Sequence, residues 1–196
     1  ENFLYEGSFQ PLDHDPFWIG HLKKYQINTD GTVGGLIWAA GEVLKNQSAG
    51  SRNMFTLIGG NKTDFNTSLS VSTFGVSTAA QRNMVVGYFR GESEDNPDEW
   101  KLGDVFRATP INIGTPSPYW FDIRDTQNAF DTFRASHVRS TANGLRMVVT
   151  GANDGQFHAF KTNNGEEAWS FLPPNLLTKL KNVAHATHPT TLQHQF

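Results

Sequence analysis

The chain has 196 residues, 37% of them hydrophobic and 18% charged, with a formal net charge of −3. That balance fits a folded chain with one sizeable core, argues against disorder, and gives no support for nucleic-acid binding, which usually needs a basic patch. Cysteine is absent, which excludes disulfides, thiolate catalysis and cysteine-based zinc sites, and no apolar run reaches the roughly 20 residues that span a bilayer.

Aromatic residues make up 12% of the chain, with Phe the main contributor, and Gly, Asn and Thr are plentiful. This favours a β-rich protein with many turns over a helical bundle. The first residue is Glu1 rather than Met and no signal peptide precedes it, so the N-terminus is expected to be processed, trimmed or taken from a larger chain. Sequons at Asn46, Asn61 and Asn66 matter only in a eukaryotic secretory setting.

Residues 1–16 carry no clean period and include Pro11 and Pro16, so they read as a loop or an extended edge segment. Residues 17–27 follow as a strand with imperfect alternation, closed by Asn28-Thr29-Asp30-Gly31 turn chemistry. Apolar positions three and four apart predict a short helix over residues 36–45, weakened by Gly41. A strand is predicted over 53–58, ending at Gly59-Gly60. Residues 61–77 are rich in Asn, Ser and Thr and read as an exposed excursion. Thr78 caps a predicted second helix that runs to about Phe89, with Val85 and Tyr88 inside and Gly91 as its stop.

The acidic stretch 92–99 is broken by Ser93, Asn96 and Pro97 and reads as a solvated loop. Short strands are predicted over 102–106 and 110–114. A Pro-rich loop then leads through Tyr119-Trp120-Phe121 to a helix near 126–136, with Phe130 and Phe133 on one face. The most regular stretch is 146–172, three strands of five or six residues joined by Ala152-Asn153-Asp154-Gly155 and Thr162-Asn163-Asn164-Gly165-Glu166. Asn/Asp-Gly turns between such strands make a meander, the main content of one propeller blade. Pro173-Pro174 ends it, and Asn175 is expected to cap a final short helix to about Lys181. No repeat at fixed spacing is visible, so periodicity alone does not demonstrate a full propeller.

The meander carries a family resemblance. Gly151-Ala152-Asn153-Asp154-Gly155-Gln156-Phe157-His158-Ala159-Phe160, followed by Gly165-Glu166-Glu167-Ala168-Trp169-Ser170-Phe171-Leu172-Pro173, is similar to the signature of the PilC/PilY proteins of type IV pili. Further similar segments occur in the same order upstream. They are Trp18-Ile19-Gly20-His21-Leu22-Lys23-Lys24-Tyr25, Trp38-Ala39-Ala40-Gly41-Glu42-Val43-Leu44, Ser51-Arg52-Asn53-Met54-Phe55-Thr56, Tyr88-Phe89-Arg90-Gly91 and Leu102-Gly103-Asp104-Val105-Phe106. The resemblance covers about residues 17–181. Ala39, Arg107-Ala108 and Phe157 depart from the family pattern.

The resemblance implies a mainly β fold with short helical insertions: an extended segment over 1–16, then a partial β-propeller over 17–196, truncated on its C-terminal side. It implies a non-enzymatic binding and structural module of a pilus-tip protein that supports pilus assembly and surface adhesion. The location would be extracellular or associated with the outer membrane at the pilus tip. The implied partners are the remainder of its own propeller or parent protein, pilin-like subunits and a host-surface ligand, with no nucleic acid. The family's acidic calcium loop would lie downstream, so no cofactor is expected in this chain. Gly165-Glu166-Glu167-Ala168-Trp169 is also similar to the repeat of quinoprotein dehydrogenases, and a generic secreted propeller scaffold is a further alternative.

No catalytic, cofactor or metal residues are assigned. Asn153, Asp154, Gly155, His158, Gly165 and Trp169 are read as a structural turn and meander signature. Gly155 is expected at positive φ, Asp154 to bond nearby amides, and His158 to be packed with a hydrogen-bond partner. No window has the 1, 3, 5 oxygen pattern and Gly at 6 of an acidic calcium loop. Asp13-His14-Asp15 alternates faces on an extended chain and is not read as a chelate. His185, His188 and His194 have no helical chelate spacing and are read as a tail, and Asp104 as an ordinary turn Asp.

Overall fold

The computed structural model describes residues 2–12, 18–96, 99–118 and 123–184. Among these described residues, nine strands form two sheets, and four short α-helices and three 3-10 turns are inserted between them. The chain is therefore mainly β.

The first sheet has the order β1 (Phe3–Pro11), β2 (Trp18–Ile27), β3 (Val33–Ala39), antiparallel throughout. The extended edge reading of the first residues is realised as β1, paired with β2 along its whole length. In β2 every second residue from Gly20 to Lys24 is buried, which is the inward face of a strand with one side on the core. The helix expected over 36–45 is shorter than predicted: β3 runs through Ala39, and α1 occupies only Ala40–Lys45. Pairing with β2 holds Leu36 and Trp38 in a strand, and a spacing of three to four in so short a window does not separate the two conformations.

The second sheet has the order β5-β4-β9-β8-β7-β6. It comprises β4 (Met54–Ile58), β5 (Asn61–Asp64), β6 (Ile111–Ile113), β7 (Met147–Gly151), β8 (Phe157–Lys161) and β9 (Glu167–Phe171). The predicted meander is present as β7–β8–β9, and β6 adds a fourth antiparallel strand beside β7. β4 joins β9 in parallel, with Met54 opposite Ser170 and Phe55 opposite Phe171.

Two further corrections concern loops. Residues 61–77 are not an exposed excursion. After β5 they bury Phe65, Leu69 and Phe74 in the core. Three large apolar side chains are enough to pin a polar segment, while Asn66 and the Ser70 hydroxyl satisfy neighbouring polar groups locally. Residues 102–106 are buried up to Val105 but form no strand. Their polar groups meet single partners instead: Gly20 N–H donates to Leu102 O at 3.0 Å and Gly103 N–H to Asp154 Oδ2 at 3.0 Å.

α2 (Ala79–Arg90) starts at the predicted cap, where Thr78 and Gln81 form a reciprocal capping box, and stops at Gly91 with φ +84°. α3 (Ala129–Ser136) starts later than predicted, where Asp125 accepts from the amides of Ala129 and Phe130 at 2.8 and 2.9 Å. The expected Asn175 cap is not found. A 3-10 turn at Pro174–Lys179 contains Asn175 and leads into α4 (Leu180–Val183), with no side-chain cap at either start.

The second sheet's inner face contributes to two core clusters. Val148 and Phe160 meet Leu22, Trp38, Leu44, Leu102 and Val105 from the first sheet, α1 and the 102–106 segment. Met54 and Leu172 meet Phe65, Phe74, Val85, Phe89 and Leu180 from the segments around α2 and α4. Tyr119-Trp120-Phe121, Asp13-His14-Asp15 and His185, His188 and His194 lie outside the described residues.

Candidate functional site

Where the meander meets the two cores, four ionisable side chains form a buried chain. His158 lies on the inner face of β8 and has no solvent exposure. Its Nδ1 is 2.7 Å from Glu167 Oε1 and its Nε2 is 3.0 Å from Asp154 Oδ2. Glu167, at the start of β9, receives Arg52 through two bonds, from Nε to Oε2 at 2.8 Å and from Nη2 to Oε1 at 2.9 Å. This is the fork geometry in which guanidinium and carboxylate bind most strongly. Arg52 also donates through Nη1 to the carbonyl of Phe89 at the end of α2, and through Nη2 to Gln156 Oε1 at 3.3 Å.

Asp154 completes the chain. Its Oδ1 accepts from the Gln156 amide at 2.8 Å, and its Oδ2 accepts from Gly103 N–H at 3.0 Å and from Gln156 Nε2 at 3.1 Å. Burial works against a charge on His158, but the carboxylates of Asp154 and Glu167 outweigh it and raise its pKa to about 9. Burial also works against the Glu167 carboxylate, yet Arg52 and then His158 outweigh that and hold its pKa at about 2. At neutral pH the chain therefore alternates in sign, and each His158 nitrogen donates to an anion.

The other signature residues serve the backbone. Asn153 donates from its amide to Asp104 O and from Nδ2 to Asp104 Oδ2, both at 3.0 Å. Burial raises the pKa of Asp104, partly opposed by the bond from Asn153. Gly155 closes the turn at φ +82°. Gly165, at φ +75°, leaves no room for a side chain: a Cβ there would stand 2.9 Å from the Trp38 ring. Trp169 points to the opposite, outer face of the sheet, with ring centres 5.8 Å from Phe55 and 6.1 Å from Phe157.

Sequence reasoning missed Arg52 and Glu167 as members of this cluster. They lie 115 positions apart, and nothing in either local pattern marks a buried pair. Asp154 and His158 were singled out, but for their turn and strand positions.

The arrangement suits structure better than chemistry. Both Glu167 oxygens and both His158 nitrogens are engaged within the cluster. Among the described residues, no group of three or more His, Asp or Glu is placed to hold a metal ion. Beside Asp154 and Gln156 lies a cavity of about 30 Å³, also lined by Asn96, Trp100 and Lys101, which is room for about one water. A larger open groove of about 600 Å³ runs between α1 and the β8–β9 turn, past Asn46, Gln47, Lys161 and Glu166. No helix among the described residues is long and apolar enough to cross a membrane.

Fold and site thus define a mainly β module clamped by a buried ionic chain. Along 92% of its length the chain is 26% identical to the type IV pilus biogenesis factor PilY1 of Pseudomonas aeruginosa strain PAK. It is 25% identical to the PilY1 of a second strain of that species over the same share. It is 30% identical over 112 residues, 53% of the chain and 9% of the relative, to a PilY1 homolog of Xylella fastidiosa strain Temecula1. These similarities to PilY1 proteins agree with the resemblance carried by the meander. It spans 17% of the length of the two Pseudomonas relatives. No protein-family model and no solved structure matches it.

Proposed function

We propose that this chain is a non-enzymatic binding and structural module of a type IV pilus tip-associated protein, supporting pilus assembly and surface adhesion. The observation that carries the proposal is similarity over 92% of the chain to proteins named as type IV pilus biogenesis factors. The site supports it as well, because its charged groups are spent on one another rather than presented to a substrate. On this reading β6–β7–β8–β9 is one four-stranded blade of a partial propeller. Its partners are the rest of the parent protein, pilin-like subunits and a host-surface ligand, at an extracellular or outer-membrane location.

The test is an in-frame deletion of residues 18–184 in the full-length gene of the source bacterium. Sheared surface pilin and adherence to epithelial cells are then measured, with an intact copy restored as control. Loss of both, recovered with the intact copy, is the expected result. Wild-type levels of surface pili and adherence would overturn the proposal.

A further inference from the structure

The open groove between α1 and the β8–β9 turn has a volume of about 600 Å³, inside the range of roughly 300–1,000 Å³ that small-molecule sites occupy. Half-buried Val43 on α1 and Ala168 on β9 give it an apolar part. Asn46, the C-cap of α1, and Gln47 beside it supply two side-chain amides, and Lys161 and Glu166 supply one charge of each sign. The turn that carries these charges is pinned. Lys161 N–H donates to Glu166 O at 2.8 Å, Gly165 N–H to Lys161 O at 2.9 Å, and Glu166 N–H to Asn164 Oδ1 at 3.1 Å. Asn46 is pinned as well, by its Nδ2 donating to Glu42 O at 3.0 Å. The polar lining is nevertheless incompletely used. The amide oxygen of Gln47 is buried and meets no donor among the described residues, an arrangement that costs stability until a donor arrives. An ammonium carries three protons, and Lys161 gives one to Glu166 Oε2 at 2.9 Å.

We infer that this groove binds a neutral saccharide through its hydroxyl groups. The inference names a ligand class for the adhesion function proposed above and rests on that reading. Three observations select the class. Lys161 and Glu166 compensate each other, so the groove presents no net charge to attract an anion or a cation. A hydroxyl both donates and accepts, so adjacent hydroxyls can serve the Gln47 oxygen, the Lys161 ammonium and the Glu166 carboxylate together, while the C–H faces of the ring rest on Val43 and Ala168. A peptide captured as an added strand would need an open sheet edge, and β8 and β9 are each paired on both sides. Recognition here therefore falls to side chains, held in place before the ligand arrives.

Saturation-transfer NMR tests this on the full-length parent protein, with lactose, N-acetyllactosamine, maltose and cellobiose as probes and sialyllactose as the charged counterpart of lactose. At least one neutral disaccharide is expected to bind, and Gln47→Leu and Lys161→Ala are each expected to weaken it about tenfold or more. Lys161 belongs to an exposed ion pair, so its removal leaves the fold intact and a loss of binding there is a loss of contact. Silence from all four neutral disaccharides would overturn the inference. So would equal binding by the wild type and Lys161→Ala, which would place the sugar elsewhere, or tighter binding of sialyllactose than of lactose, which would assign the groove to an anion. A parent that binds a disaccharide through the groove, in a bacterium whose pili and adherence survive deletion of the segment, would refute the pilus reading and leave the sugar site standing. Lost adherence on deletion without disaccharide binding would strike the sugar site alone.

Discussion

The ammonium of Lys24 in β2 reaches across to the second sheet and donates a 2.7 Å hydrogen bond to the carbonyl oxygen of Thr162, in the β8–β9 turn. Trp38 Nε1 donates to the same oxygen at 3.2 Å. Lys24 is 2% exposed, and its charge also sits 3.6 Å from the centre of the Phe3 ring. One backbone carbonyl thus ties the two sheets together through side chains 138 and 124 positions away in the chain.

Because the two donors share one acceptor, their removal is expected to be non-additive. Lys24→Ala and Trp38→Phe should each lower stability by about 1–3 kcal/mol. The double variant should cost more than the two together, since it leaves a buried carbonyl with neither donor. Urea denaturation of the four proteins in a double-mutant cycle measures this. Strict additivity would show that the shared carbonyl does not couple the sheets.

The two ion pairs of the meander should differ sharply in weight. Arg52–Glu167 has both side chains fully buried, and Arg52→Ala strands a carboxylate in the interior, at a cost of about 3–5 kcal/mol. Lys161–Glu166 is as short, at 2.9 Å, but exposed, and Lys161→Ala should cost less than about 1 kcal/mol. Denaturation midpoints of the two variants decide the matter; similar losses would contradict the difference in burial.

Stability should peak in weak acid. Glu167 is held at about 2 against an ordinary 4.5, so its contribution is complete above 4.5 and fades as pH falls towards 2. His158 is raised to about 9 against an ordinary 6.5, so its contribution is complete below 6.5 and fades as pH rises through 9. Between pH 6 and 9.5 the loss should amount to about 3 kcal/mol, and His158→Gln should flatten that limb. Unfolding free energies measured across pH 3–10 provide the check, and a level wild-type profile above pH 6 would rule out a charged His158.

Gly165→Ala should be among the costliest single-methyl additions. The residue sits at φ +75°, where an L side chain is strained by about 1–2 kcal/mol, and the new Cβ would press on Trp38. A loss of at least about 2 kcal/mol is expected, with a shift in Trp38 fluorescence reporting the displaced ring. Trp38→Phe in the same background should recover part of the loss if the contact is the cause.

Local chemistry was legible in the sequence because it acts within a few residues. The Asn-Asp-Gly and Asn-Gly turns, the three short strands β7 to β9 and the cap at Thr78 depend only on neighbours along the chain, and each lies where strand length and turn chemistry placed it. Three readings failed where a distant partner supplied the decisive contact. β2 held residues 33–39 as a strand, Phe65 and Phe74 drew a polar segment into the core, and Gly20 and Asp154 took up the backbone of 102–106 singly instead of in a ladder.

The amino-acid order by itself determined a β-rich chain with its meander at 146–172, since composition, periodicity and turn residues are properties of the linear polymer, and the order of its motifs carried the resemblance to the pilus proteins. Only the tertiary structure decided that Arg52, Glu167, His158 and Asp154 share one charge chain, that Lys24 bridges two sheets, and that the rings around Trp169 face outward. The physical reason is that burial and ion pairing depend on distance in space, and folding brings residues 115 positions apart to within 2.8 Å.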